Sequence, residues 1–330
     1  MLKYILKRLG LSVLVLLGVS LIIYILIRLM PTDFVEKIIL EMSQGGTTIP
    51  QETVDALYNT YGLGDNSFGG MISGYFGWLM NIFRFDFGTS FSLKIPVTEV
   101  IAKYMGTSFF VALVATIFEF MIAIPLGITA ATHQYSVRDY ITTIFVMIGI
   151  SLPSFFFGEI LKGVFSYNLG WFPKMGNLSP LGPSGGFGLV TDYLWHMVLP
   201  ILTIVILSIG PRMRMTRTNM LEVLNADYIR TARAKGLKES KVINKHAFRN
   251  TLIPLVTTLA GLLPSLFSGA IITEQVFGLD GIGRIALDAM NDGDIPLIMG
   301  YNMFLAFLSV IGVLLSDLMY AWVDPRVKLE

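Results

Sequence analysis

The stretch Leu9–Leu29, LGLSVLVLLGVSLIIYILIRL, stays apolar for longer than a buried strand or an ordinary core helix requires. Crossing the hydrocarbon core of a bilayer takes about 20 such residues in helical form. Within lipid every backbone N–H and C=O must be paired inside the segment, and a helix of this length does that. Lys3, Lys7 and Arg8 precede the run, as basic residues precede a signal peptide. The run nevertheless exceeds the about 7–15 residues of a signal h-region, and no A-x-A-like site follows. It is read as a first spanning helix.

Runs of the same kind recur at Thr107–Ala130, Tyr140–Lys162, Tyr193–Gly210, Leu252–Thr273 and Gly300–Trp322. The sequence predicts an all-helical integral membrane protein with six crossings and both termini on one side. Composition agrees: the chain is 54% hydrophobic and 14% charged, with a mean hydropathy of +0.67, against about 25% charged residues in soluble domains. A net charge of +1 gives no global basic field for nucleic acid. No cysteine is present, which excludes disulfides, thiolate metal sites and a cysteine nucleophile, and only His133, His196 and His246 offer imidazole chemistry.

Charge asymmetry sets the orientation. Between the fourth and fifth runs lie Arg212, Arg214, Arg217, Arg230, Arg233, Lys235, Lys238, Lys241, Lys245 and Arg249, against Glu222, Asp227 and Glu239. The positive-inside rule places that loop, and with it both termini, in the cytoplasm. Residues 31–106 then form an extracytoplasmic insert. A Thr48-Ile-Pro-Gln-Glu52 start and the aromatic residues Tyr75, Phe76, Trp78, Phe83, Phe85 and Phe87 predict short amphipathic helices there, at the outer interface. The expected organisation is 1–30 first spanning helix, 31–106 insert, 107–322 five-helix core with a cytoplasmic coupling loop at 211–251, and 323–330 tail.

Inside that basic loop Leu221, Leu224, Tyr228 and Ala232 recur at spacings of three and four, which puts them on one helical face. Gly236 is placed to close the helix with a left-handed cap, and Lys238–Arg249 can start another. Topology alone needs the cations but neither the spacing nor the small residues. The segment Tyr228, Ile229, Arg230, Thr231, Ala232, Arg233, Ala234, Lys235, Gly236 is therefore read as a docking helix, with Ala232 and Ala234 permitting close approach of a partner.

Asp227–Gly236, followed by His246-Ala-Phe-Arg-Asn250 and Leu252-Ile-Pro254, resembles the cytoplasmic signature loop of ABC importer permeases, in particular the oligopeptide, dipeptide and nickel permeases. Matching elements run through most of the chain: Asp86-Phe-Gly-Thr-Ser90 with Pro96-Val97, Ile124-Pro-Leu-Gly127, Ser151-Leu-Pro-Ser-Phe155, Gly170-Trp-Phe-Pro173, Glu274-Gln-Val-Phe277 with Gly281-Ile-Gly-Arg284, and Asp324-Pro-Arg326. The resemblance implies a type I importer permease working with a second, similar permease, two cytosolic ATPases that bind ATP and magnesium, and an extracytoplasmic peptide-binding protein. The chain itself has no G-x-x-x-x-G-K-[ST] phosphate cradle and no H-E-x-x-H zinc motif. It is expected to be a non-catalytic subunit that binds no cofactor. The family's loop signature carries Glu-Ala-Ala, three residues, then Gly; counted back from Gly236, this chain has Arg230-Thr231-Ala232, so it lacks the acid.

Ionisable residues within spans are costly and mark function or internal pairing. Glu119 lies mid-run, and Glu159 sits three residues before Lys162 on a shared face. Either carboxylate lines a translocation path for a peptide's cationic end, or both are structural, Glu159 paired with Lys162 and Glu119 protonated or paired with a neighbouring helix. Pro153, Pro264, Ser265 and Ser268 are the other candidate path residues, because proline frees helix carbonyls and small polar residues admit a polar lumen. A proton-coupled secondary transporter built on Glu119 is the rival reading, and nickel the rival substrate. A secondary transporter calls for internal repeats or a cluster of ion-binding residues, and neither is visible. An intramembrane enzyme lacks a converging nucleophile and base.

Overall fold

The computed structural model describes residues 2–29, 34–43, 49–61, 63–64, 67–183 and 185–323. Asp324-Pro325-Arg326 and Thr48 from the sequence reading lie outside them. In chain order the helices are α1 (Leu2–Arg28), α2 (Phe34–Ser43), α3 (Gln51–Thr60), α4 (Phe68–Ile82), α5 (Val97–Thr132), α6 (Val137–Ser151), α7 (Ser154–Leu161), α8 (Gly186–Leu224), α9 (Asp227–Ala234), α10 (Glu239–Lys241), α11 (Phe248–Thr257), α12 (Leu259–Phe267), α13 (Ile271–Phe277), α14 (Ile282–Asp292) and α15 (Ile295–Val323). Wider π-type turns continue α7 over Lys162–Asn168 and join α10 to α11 over Val242–Ala247. Among the described residues the only β-pairing is one isolated bridge, Thr89 with Pro96.

Four helices are long and apolar enough to cross a membrane, or up to six if each of two helix pairs bent at a short break counts as one span. The third expected span is such a pair. It turns by 103° between α6 and α7, because Pro153 forces Leu152 into extended backbone (φ −91°, ψ 131°) and helix cannot run through. The helix of the fifth expected span is interrupted at Thr258 and again at Ser268–Ala270, where Gly269 takes φ +72°; the second bent pair breaks further on, between Phe277 and Ile282. Pro264 itself stays within α12, as Pro125 does in α5 and Pro200 and Pro211 do in α8.

The chain forms two compact units, residues 1–106 with 282–310, and 107–281 with 311–330. In the first unit the insert is helical, as expected. Its core sets Val97, Val100 and Ile101 at the start of α5 against Ile282, Ala286 and Ala289, one face of α14, and against Leu297–Met299 of α15. Asp294 organises this unit. Fully buried, its carboxylate caps α15 by accepting from Leu297 N–H (3.2 Å) and takes the Ser90 hydroxyl (2.5 Å), the Ser92 N–H (3.0 Å) and the Ser92 hydroxyl (2.8 Å). Losing a cap costs about 1 kcal/mol, and each buried donor left unsatisfied costs about 1–3 kcal/mol more. The Asp294→Ala variant is expected to lower the melting temperature and to speed proteolysis in the Ser90–Ile95 loop; an unchanged melt and cleavage pattern would refute this role.

The second unit holds the remaining cores. Ala115, Ala123 and Ala130 of α5 and Val146 of α6 pack on Val205, Ile209 and Met213 of α8. Contact is close at Gly127, where a Cβ would come within 2.8 Å of the Met213 carbonyl oxygen. The glycine of the Ile124-Pro-Leu-Gly127 element is thus a spacing requirement.

Candidate functional site

Helix α8 is 39 residues long and runs well past its apolar run. Its inward positions Ile209, Met213, Thr216 and Met220 recur at three- and four-residue spacing, so the helix stays anchored on one face beyond the point where hydrophobicity ends. After the turn at Asn225–Ala226, α9 carries the sequence DYIRTARA. Ile229 (0% exposed) and Ala232 (7%) pack with Met220, Ala131, Val242 and Ala247 into a small buried cluster. Ala232 therefore faces inward, which corrects its expected role in letting a partner approach. Tyr228, Arg230, Thr231, Ala234 and Lys235 are exposed. The outer face of α9 is basic and polar, backed by an apolar seat within the same chain.

Gly236 ends the helix as its sequence position implies: φ is +74°, its N–H donates to the Arg233 carbonyl (2.9 Å), and the Leu237 N–H reaches back to Ala232 (3.4 Å). Arg233 forks onto Glu239, with Nη2 to Oε1 at 2.7 Å and Nε to Oε2 at 3.2 Å. This ties α9 to α10, and the guanidinium holds the Glu239 carboxyl below its ordinary value. A carboxyl so lowered keeps its contribution above the ordinary glutamate range and loses it as pH falls through the folded value. The pair is half exposed, so it fixes geometry more than it stabilises. Arg230 reaches Asp227 at 3.6 Å on the open face.

Two further ion pairs fix α8 laterally, and the sequence reading identified neither. Arg212 Nε donates to Glu119 Oε1 of α5 at 2.8 Å, with the guanidinium 4.7 Å from the centre of the Phe120 ring. Arg217 forks onto Asp139 at the start of α6 (3.1 and 2.9 Å), and the Tyr135 N–H also donates to that carboxylate. The partners lie 93 and 78 residues apart in sequence, beyond the reach of spacing rules. A buried acid in such a pair, stripped of its arginine, costs about 3–5 kcal/mol.

The candidate path residues have local partners. Glu119 is 8% exposed and engaged by Arg212. Lys162, itself buried, donates to Glu159 (2.7 Å) and to the Val276 carbonyl (2.7 Å), so the anticipated pair forms and joins α7 to α13. The Ser265 and Ser268 hydroxyls donate to carbonyls three residues back. Pro153 starts α7, and Pro264 lies within α12. The residues expected to dock a partner are gathered on α9 and the turn that follows it; the path candidates are spread over α5, α7 and α12 and the adjoining turns.

Residues 123–329 match the family described as binding-protein-dependent transport system inner membrane component. The chain belongs to that family. As an inner-membrane transport component it is 37% identical over 329 residues to the oligopeptide transport system permease protein AppB of Bacillus subtilis, covering 99% of this chain and 100% of the relative. It is 32% identical over 345 residues to the dipeptide transport system permease protein DppB of Escherichia coli, covering 99% of each. Among solved structures, the MetNI methionine ABC transporter in inward-facing conformations superposes with a TM-score of 0.53 at 16% identity, over 69% of this chain and 97% of that one. At that identity the likeness speaks for the fold alone. The family member described here is thus a type I ABC permease and an integral membrane protein.

Proposed function

We propose that this chain is the permease subunit of an ATP-driven peptide importer: it forms the translocation path with a second permease and couples to two cytosolic ATPases through residues 221–250. The observation that carries the proposal is α9, a short helix seated on its own apolar cluster with a basic, polar face turned outward at the end of α8. The relatives named for oligopeptide and dipeptide transport support peptide over nickel. ATP and magnesium belong to the partner subunits, and an extracytoplasmic binding protein delivers substrate to the insert side.

The coupling follows from rigidity. A push on α9 reaches α8 through the buried Ile229–Met220 seat, and α8 carries it to α5 through Arg212–Glu119 and to α6 through Arg217–Asp139. Helices so linked move together, which is what alternating access between two discrete arrangements requires. The Arg212–Glu119 ion pair also weighs against a carrier built on Glu119, because that carboxylate is already engaged by a side chain of the same unit.

Co-expression with neighbouring ATPase and binding-protein genes, followed by purification through a tag on this chain, tests the proposal. Two ATPases are expected to co-purify, and peptide-loaded binding protein is expected to raise ATP hydrolysis. Peptide uptake that persists without ATPases and collapses with a proton uncoupler would overturn it.

A further inference from the structure

We infer that the side of α10–α11 carrying Lys241, Lys245 and Arg249 binds anionic phospholipid head groups of the cytoplasmic leaflet. The cations between the fourth and fifth apolar runs divide into two sets. Arg212, Arg217, Arg230 and Arg233 each engage an acid of this chain. Lys241, Lys245 and Arg249 are exposed, and their side chains engage no acid among the described residues. The positive-inside rule asks for cations in this loop, but not for an unpaired row on one side of its membrane end.

The row follows from the turns. Its members are four residues apart along the helical stretch that runs from α10 through the wide turns of Val242–Ala247 into α11, so they fall on one side of it. The other side is occupied: Val242, Ala247 and Thr251 are fully buried, and the Thr251 hydroxyl meets Met220 Sδ and the Ala247 carbonyl, each at 3.1 Å. Arg249 is two residues from both Ala247 and Thr251, about 160° round the helix from each. The buried side thus holds the cationic side outward.

Continuity with the membrane and charge complementarity select the occupant. Beyond Arg249 no ionisable residue occurs until Glu274, and the apolar run opens at Leu252. At a rise of about 1.5 Å per residue, Arg249 stands at most about 5 Å and Lys245 at most about 10 Å from the start of that run. The head-group layer is about 5–8 Å deep on each side of a bilayer, and a lysine stem extends the reach. Cations clustered immediately cytoplasmic of a spanning helix attract acidic lipids, and a guanidinium presents a fork that matches a phosphate. Arg233 with Glu239 joins α9 to α10, so on the docking reading proposed above a lipid held here also steadies α9; the lipid contact itself does not rest on that reading.

The test places the unaltered full-length chain in nanodiscs of dioleoyl phosphatidylglycerol or dioleoyl phosphatidylcholine, acetylates its lysines and reads each site by mass spectrometry. Lys235, on the turn that ends α9, is the internal reference. Relative to Lys235, Lys245 is expected to label several-fold more slowly in phosphatidylglycerol than in phosphatidylcholine, Lys241 to show a smaller difference, and both differences to vanish in about 1 M salt, where the Debye length is about 3 Å. Equal ratios in the two lipids would overturn the proposal. Native mass spectrometry of the detergent-solubilised chain locates the contact: phosphatidylglycerol is expected to be retained over phosphatidylcholine, Lys245→Gln with Arg249→Gln to lower that preference several-fold, and Arg230→Gln with Lys235→Gln to keep it. Equal losses in both pairs would mean diffuse attraction without a site, and lost ATPase co-purification with the lipid preference intact would assign the row to the ATPase; either result overturns the proposal. Should Lys245→Gln with Arg249→Gln fail to insert, the labelling of the unaltered chain decides.

Discussion

The Ala234→Trp variant is expected to insert and fold normally yet to lose ATPase co-purification and peptide uptake by about ten- to a hundred-fold. Ala234 is exposed on the last turn of α9, about 200° around the helix from buried Ala232. A tryptophan there extends from an exposed position, and on the proposed docking it stands where a partner's groove would close. Steric blocks at the centre of an interface cost about 1.4–3 kcal/mol, which is the stated range in affinity. The Ala232→Trp variant separates docking from folding. Its side chain would have to enter the cluster of Ile229, Met220, Val242 and Ala247, and overpacking of that kind costs about 1–3 kcal/mol in the chain itself. A lower melting temperature and faster proteolysis of 225–250 are expected for Ala232→Trp, and neither for Ala234→Trp. ATPase binding and uptake left at normal levels by Ala234→Trp would remove α9 from the docking interface.

Why the sequence misassigned the face of α9 is instructive. The stripe Leu221, Leu224, Tyr228, Ala232 assumes one helix from 221 to 232. In the structure α8 stops at Leu224 and α9 begins at Asp227, so the phase resets across Asn225–Ala226 and Ile229, not Tyr228, shares the buried face with Ala232. Gly236 was legible because left-handed backbone strongly favours glycine. The apolar runs were legible because bilayer thickness sets their length. What the runs did not disclose was continuity. Pro153 terminates a helix, whereas Pro125, Pro200, Pro211 and Pro264 lie inside helices, and the difference rests on packing that local sequence does not encode. The charges divide in the same way: Glu159 with Lys162 follows from a spacing of three, while Arg212 with Glu119 and Arg217 with Asp139 exist only once α5, α6 and α8 are side by side.

The second large effect is expected where no docking occurs. Glu274 of α13 is 1% exposed and accepts the Ser108 hydroxyl at 2.6 Å, and the chain comes back past it at Gly281. A Cβ on residue 281 would lie 2.3 Å from the carboxyl carbon and 2.5 Å from both of its oxygens. Those atoms end a flexible side chain, yet the side chain is enclosed, so clearing the clash means taking a charged group off its hydrogen bond with no water to replace it. Gly281→Ala is therefore expected to cost about 3 kcal/mol, from overpacking of about 1–3 kcal/mol together with a charged-group hydrogen bond of about 1.5–3 kcal/mol. Thermal melting of the detergent-solubilised chain should fall by several degrees, and yield with it. The mechanism makes a sharper demand through a double-mutant cycle. In a Glu274→Ala background the carboxylate is absent, the space it occupied is free, and Gly281→Ala should then cost almost nothing. Strictly additive losses would show that Gly281 is needed for some reason other than Glu274, and a wild-type melt for Gly281→Ala alone would show that the carboxylate has room to move. If the coupling is found, the Glu274-Gln-Val-Phe277 and Gly281 elements of the sequence are two halves of one contact, the glycine present because the glutamate is.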